Sequence, residues 1–155
     1  MSNTHHVNKN LKLKKFSDKS DSKPLQFHHH LHKAIFKKNK LPSYFIFYPT
    51  SRCNLMCSHC FYHDSLNKKV NELSLEEIDA FTKTMDPLLS LVLTGGEPYL
   101  RHDLDQIVRI FYENTKTPMV TIPSNGWYLD KMSLQIKNMM KWCPDLILNQ
   151  LISLD

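Results

Sequence analysis

Residues 88–111, LLSLVLTGGEPYLRHDLDQIVRIF, read as one strand, one turn and one helix in succession. Leu88 to Thr94 is a short apolar run, and Gly95 and Gly96 break it. Asp103 stands at a helix N-cap position ahead of Leu104, Ile107, Val108 and Phe111, whose spacing puts them on one helical face. The unit recurs on both sides. Upstream, Tyr44 to Tyr48 is an apolar, aromatic run ending in Pro49, Thr50 and Ser51, which predicts a buried strand. Ser74 with Glu77 forms a capping box that opens a helix carrying Leu75, Ile78 and Phe81 and continuing to Met85. Downstream, Met119 to Ile122 forms a third strand stopped by Ser124, Asn125 and Gly126. A helix from Asp130 to Trp142 and a fourth strand from Leu146 to Leu154 follow. Strands alternating with amphipathic helices on short connections predict right-handed βαβ units and a parallel sheet, so the class is α/β. The run supplies three βα units and one further strand. With no helix after it, that strand is expected to leave an exposed sheet edge, and the chain reads as part of a longer polypeptide.

The chain has 155 residues, 41% hydrophobic and 23% charged, which suits one globular domain and excludes a disordered or fibrous chain as a whole. No long uncharged apolar run is present, which excludes a membrane-spanning helix, and the start lacks the features of a secretory signal. A cytoplasmic protein with reduced thiols is expected. The net charge of +5 is concentrated before residue 41, where the lysines from Lys9 to Lys40 face only Asp18 and Asp21. Residues 1–24 therefore read as a disordered, basic, solvated tail rather than a nucleic-acid arm. Residues 25–42 form a leading helix and linker, with Phe27, Leu31 and Ile35 on one face. His28, His29, His30 and His32 ride there as a polar face rather than a metal site. Residues 43–155 are the folded domain.

Cys53, Cys57 and Cys60 follow the first strand in the spacing CNLMCSHC, and spacing alone leaves two chemistries open. His59 or His63 completes a Cys3His zinc site, the basis of a non-enzymatic zinc-binding module. Alternatively, three thiolates on a cubane iron–sulfur cluster leave one iron with open positions. Cys143, beside Pro144, reads as an ordinary buried thiol. In the GGEP of residues 95–98, two glycines permit a tight turn and close approach to a ligand, while the Glu97 carboxylate suits an ammonium group. Ser124 and Asn125 also fit a plain Asn-Gly turn. Each of these motifs follows a strand, at the end where parallel α/β folds gather their sites.

The segment CNLMCSHC followed by Phe61 and Tyr62, then LTGGEP and IPSNG, resembles the radical S-adenosylmethionine (radical SAM) superfamily over residues 44–155. The form is similar to the branch with molybdenum-cofactor cyclases and SPASM-type peptide-maturing enzymes. The resemblance implies the first part of a (β/α)6 TIM-like barrel. It also implies that Cys53, Cys57 and Cys60 hold a [4Fe-4S] cluster whose remaining iron is chelated by S-adenosyl-L-methionine. Gly95, Gly96, Glu97 and Pro98 would then bind the methionine amino group, and the backbone around His59 and Tyr62 would lie against adenine. Ser124 and Asn125 would face the ribose or carboxylate, with Ser153 and Asp155 as further polar contacts to cofactor or substrate. The implied reaction is reductive cleavage to methionine and a 5'-deoxyadenosyl radical that takes hydrogen from a small-molecule or peptide substrate. Its implied partner is an electron donor such as flavodoxin or ferredoxin. The later strands of the family's barrel have no counterpart here, so the chain alone is expected to bind the cofactor weakly.

Overall fold

The structure, a computed structural model, describes residues 43–153. The tail expected over residues 1–24, the helix and linker expected over 25–42, and Asp155 lie outside the described residues. Strands β1 (Tyr44–Thr50), β2 (Ser90–Gly95), β3 (Met119–Ser124) and β4 (Ile147–Ile152) alternate with helices α1 (Leu75–Thr82), α2 (Leu104–Thr115) and α3 (Leu129–Trp142). Single 3-10 turns occupy His63–Ser65 and Pro98–Leu100.

Local chemistry explains most of the boundaries. The capping box forms: Glu77 N–H donates to Ser74 Oγ at 3.2 Å and Ser74 N–H to Glu77 Oε2 at 2.8 Å, satisfying two amides that the first turn of α1 leaves over. The helix stops at Thr82, short of Met85, and the Thr82 hydroxyl turns back to the Ile78 carbonyl at 2.7 Å. Asp103 does precede α2, but its side chain makes no capping bond, because the Arg101 guanidinium occupies the carboxylate instead. Lys116 ends α2 in the left-handed region with φ of 52°.

The four strands form one parallel sheet in the order β1-β2-β3-β4. It is open, an α/β arrangement that matches part of a TIM-like barrel. Leu91 and Leu93 of β2, Val120 and Ile122 of β3, and Ile107, Val108 and Phe111 of α2 share one core. Burying each of these side chains contributes roughly 1.5–3 kcal/mol. Phe45 and Phe47 pack on that core beside Phe81 and Phe111, with ring centroids 5.7 to 6.4 Å apart. The expectation of a buried first strand needs correction, since Tyr44, Ile46 and Tyr48 point to the opposite face and are exposed. Among the described residues helices cover one face only, so the uniformly apolar run is half-covered. Ile147 and Leu151 of β4 are exposed as well.

Candidate functional site

Parallel strands deliver the segments that follow them to one edge of the sheet. The cysteine loop after β1, the glycine turn after β2, the Ser124–Asn125 turn and Ser153 after β4 therefore converge there. A cavity of about 240 Å3 opens between them. Cys53, Cys57, Cys60, Glu97, Ser124 and Asn125 are among its walls.

The turn after β2 is locked by backbone. Gly95 has φ of +120°, and a Cβ there would lie 2.6 Å from the Thr50 carbonyl oxygen. At Gly96 a Cβ would lie 2.1 Å from the Arg52 carbonyl oxygen, so only glycine fits. The close approach carries two hydrogen bonds, Gly96 N–H to Thr50 O at 3.0 Å and Glu97 N–H to Arg52 O at 2.8 Å. Both glycines thus have a backbone neighbour to explain them, and Gly96 also lines the cavity.

This packing holds Glu97 at 2% exposure. Its Oε1 accepts from Tyr99 N–H at 3.1 Å and from the Ser124 hydroxyl at 2.9 Å, and its Oε2 accepts from Asn125 N–H at 2.8 Å. Among the described residues Glu97 joins no ion pair. A buried carboxylate with three neutral donors favours a cation on its open side, because burial without a counter-charge is costly. Tyr99 is fully buried and donates to the Gln150 side-chain oxygen. Its phenol is held well above the ordinary value, by burial first and by the Glu97 charge second.

The loop after β1 is closed by side chains as well as by backbone turns. Cys53 N–H donates to Asn67 Oδ1 at 2.9 Å, and Asn67 Nδ2 donates to the Cys53 carbonyl at 3.1 Å. Turns at Cys60 N–H to Cys57 O, 3.1 Å, and His63 N–H to Cys60 O, 3.0 Å, space the other two thiols. His63 Nδ1 lies 3.3 Å from the Cys57 carbonyl oxygen. Asn125 Nδ2 reaches across to Asn54 Oδ1 at 3.0 Å, joining this loop to the β3 turn. Behind the site, Arg52 pairs with Glu72 at 2.8 Å and Thr50 donates to the same carboxylate. Burial alone would raise Glu72, yet the hydrogen bonds from Arg52 and Thr50 and the charges of Arg52 and Arg101 hold it below the usual range. The buried Arg101 donates to Asp103 Oδ1 at 2.7 Å, to the Pro49 carbonyl at 2.9 Å and to the Leu73 carbonyl at 2.5 Å. One guanidinium thereby ties the end of β1 to the entry of α1 and the start of α2.

Of the expected site residues, the three cysteines, His59, Gly96, Glu97, Ser124, Asn125 and Ser153 line the cavity. Gly95 packs on Thr50, Pro98 is buried in the 3-10 turn, and Tyr62 sits 5.3 Å ring to ring from Tyr48. None of these three is among the cavity walls, and Asp155 lies outside the described residues. The Ser124 hydroxyl, on the cavity wall, donates to Glu97. Cys143 is fully buried in the core, and burial raises its thiol to about 11. Reading the sequence missed Asn67, Asn54 and Arg101, whose partners lie far along the chain and leave no local pattern. It also missed Leu55, Phe61, Thr94 and Pro123 as cavity walls.

The donor set fits a cluster. All three loop cysteines are free, half-buried thiols on the same cavity. Sulfur donors around shared space suit a group of several atoms, and Leu55 N–H already lies 3.5 Å from Cys53 Sγ, the kind of contact that tunes cluster sulfurs.

Comparison with known proteins agrees. A GTP 3',8-cyclase of Aliarcobacter butzleri (strain RM4018) is 31% identical over 93 residues, 57% of this chain and 29% of the cyclase. The GTP 3',8-cyclase of Helicobacter pylori (strain ATCC 700392 / 26695) is 31% identical over 104 residues, 64% of this chain and 32% of that enzyme. An Fe-coproporphyrin III synthase of Methanosarcina barkeri (strain Fusaro / DSM 804) is 34% identical over 104 residues, 64% of this chain and 25% of the synthase. The matched segment thus spans about a third or less of these relatives. The family model for the Radical SAM superfamily matches residues 47–146, taking in the cysteine loop, the glycine turn and the Ser124–Asn125 turn. On that match the chain belongs to the radical SAM superfamily, enzymes that bind a [4Fe-4S] cluster and S-adenosyl-L-methionine.

Proposed function

We propose that residues 43–155 carry the cofactor-binding part of a radical SAM enzyme, with Cys53, Cys57 and Cys60 as cluster ligands and Glu97 as acceptor for the S-adenosyl-L-methionine amino group. The observation that carries this reading is the single cavity shared by three free thiols and a buried carboxylate without an ion-pair partner among the described residues. Cys53, Cys57 and Cys60 would hold the cluster and Glu97 the S-adenosyl-L-methionine amino group, and together these groups would supply one-electron reductive chemistry for taking hydrogen from a substrate.

The chain's own residues bind and orient. Ser124 and the Asn125 and Tyr99 amides hold the Glu97 carboxylate in one orientation, so it meets an ammonium without reorganising. Gly96 keeps the turn close to the cysteine loop, which sets the carboxylate beside the thiols. Leu55 and Pro123 add apolar surface to the cavity. The relatives carry two different names, cyclase and synthase, over the same segment, which supports assigning it the shared cofactor step rather than substrate choice. The substrate is then a small molecule or peptide bound largely outside this segment, and GTP is the first to assay. The reductant is a small electron-transfer protein such as flavodoxin or ferredoxin. Among the described residues no helix is long and apolar enough to cross a membrane, and we place the protein in the reducing cytoplasm, where the thiols stay available.

The test is anaerobic reconstitution of the full chain with iron and sulfide, followed by paramagnetic resonance of the reduced protein with and without S-adenosyl-L-methionine. A brown protein whose reduced signal shifts on adding the cofactor is expected, and Cys57→Ala should lose the iron. A colourless chain that takes up one zinc ion instead would overturn the reading in favour of a zinc-binding module.

A further inference from the structure

Resting on the cluster reading above, we propose that Asn67 is a positioning residue that fixes the peptide planes on both sides of Cys53 and so aims its thiol into the site. The Asn67 side chain meets both polar groups of the Cys53 backbone, accepting from its N–H at 2.9 Å and donating to its carbonyl at 3.1 Å. Its own N–H donates to the Ser51 carbonyl at 2.9 Å, and the Ser51 hydroxyl donates to the Lys68 carbonyl at 3.2 Å. Residues 51–53 and 67–68 are therefore laced as two strands would be, with a carboxamide standing in for one peptide unit. Cys57 and Cys60 lie inside the loop this closes.

Residue type follows from geometry. Asn67 has φ of 55°, a conformation that asparagine tolerates better than other residues with a side chain. Aspartate offers an acceptor to the Cys53 N–H but no donor to its carbonyl, glutamine is one methylene too long, and glycine accepts the φ while removing the clamp. The consequence falls on the sulfur. The Leu55 N–H contact to Cys53 Sγ depends on how the Cys53 peptide is turned, and hydrogen bonds to cluster sulfurs set potential. Asn67 acts through Cys53 and touches no cofactor itself.

Two measurements on the full chain test this. In the first, before iron is added, amide exchange is followed by NMR in the wild type, Asn67→Gly and Asn67→Asp. The Cys53 amide should exchange about tenfold faster in Asn67→Gly, the worth of one hydrogen bond, and stay near wild type in Asn67→Asp, which keeps the acceptor. Core amides such as Phe111 should be unchanged. Equal Cys53 exchange in wild type and Asn67→Gly overturns the proposal. Should Asn67→Gly lose core protection, the decision passes to Asn67→Asp, whose lost donor to the Cys53 carbonyl should change the reduced-cluster resonance and midpoint potential after reconstitution. An unchanged spectrum and potential there overturn it. If the wild type assembles no cluster, the cofactor reading fails while the exchange result still reports on the clamp alone.

Discussion

The turn after β2 packs Gly95 and Gly96 against the carbonyls of Thr50 and Arg52 and leaves Glu97 at 2% exposure. The loop after β1 leaves Cys53, Cys57 and Cys60 half-buried and closes through the side chains of Asn67 and His63. One segment is held by close backbone packing, while the other adds carboxamide and imidazole contacts nearer solvent to its backbone turns. The difference suits the tasks proposed for them. A fixed carboxylate needs no freedom to meet an ammonium, whereas thiols that close around a multi-atom group gain from a scaffold that can settle as the group arrives.

The contrast breaks most sharply at Gly96. Gly96→Ala places a methyl group 2.1 Å from the Arg52 carbonyl oxygen. A loss of about 4 kcal/mol or more is expected, because the clash is with backbone, and urea unfolding of the full chain measures it. Arg101→Met comes next, at about 3 kcal/mol, since it leaves Asp103 and the Pro49 and Leu73 carbonyls without their donor. That variant also carries a pH signature. Burial pushes the Asp103 carboxyl up, but its hydrogen bonds and the Arg101 charge hold it below its ordinary value in the fold. Asp103 therefore contributes stability above the unfolded carboxylate range of about 4 that is lost as pH falls through the depressed folded value. In Arg101→Met burial acts unopposed by the guanidinium, so this acid-side loss should be missing from its stability–pH curve.

Glu97→Gln sharpens the comparison further. Its amide nitrogen would face either Asn125 N–H or the Tyr99 and Ser124 donors, at a cost of about 2 kcal/mol in unfolding experiments. Calorimetry should also show weaker S-adenosyl-L-methionine binding to reconstituted protein. Equal affinity would remove the amino-group role. The smallest effect is chemical. At pH 8 iodoacetamide should label Cys53, Cys57 and Cys60 in the native chain and spare Cys143, which is buried and raised to about 11. Labelling of Cys143 at the same rate would mean that the core opens as readily as the loop.

What was legible in the sequence follows the range of the interactions. The Ser74–Glu77 capping box is settled within four consecutive positions, and it forms as read. The alternation of strands and helices needs only local periodicity, and it holds from Tyr44 to Ile152. At Asp103 the position was legible but the partner was not, because Arg101 outcompetes the helix amides for its carboxylate. Uniform apolarity in β1 concealed which face the helices cover, since Phe45 and Ile46 are equally apolar and differ only in what lies above them. The glycines after β2 announced a tight turn, yet the reason for them is the carbonyls of Thr50 and Arg52, brought in by tertiary pairing. Asn67 and Arg101 lie furthest from legibility, because each binds backbone atoms that no spacing rule connects to them.

The parallel sheet leads to an expected order of events during folding. Tyr44 pairs with Ser90 and Thr50 with Gly95, so β1 waits for a long stretch of chain before it finds its neighbour. Such distant pairings form slowly, because chain entropy is lost before contacts repay it. The Gly96 and Glu97 amides reach Thr50 and Arg52 only after that pairing. The Glu97 carboxylate is therefore expected to reach its place late in folding. Pulsed amide exchange during refolding should find the Phe111 amide protected while the Glu97 amide, which closes on Arg52, still exchanges, and simultaneous protection of both would show that site and core assemble in one step.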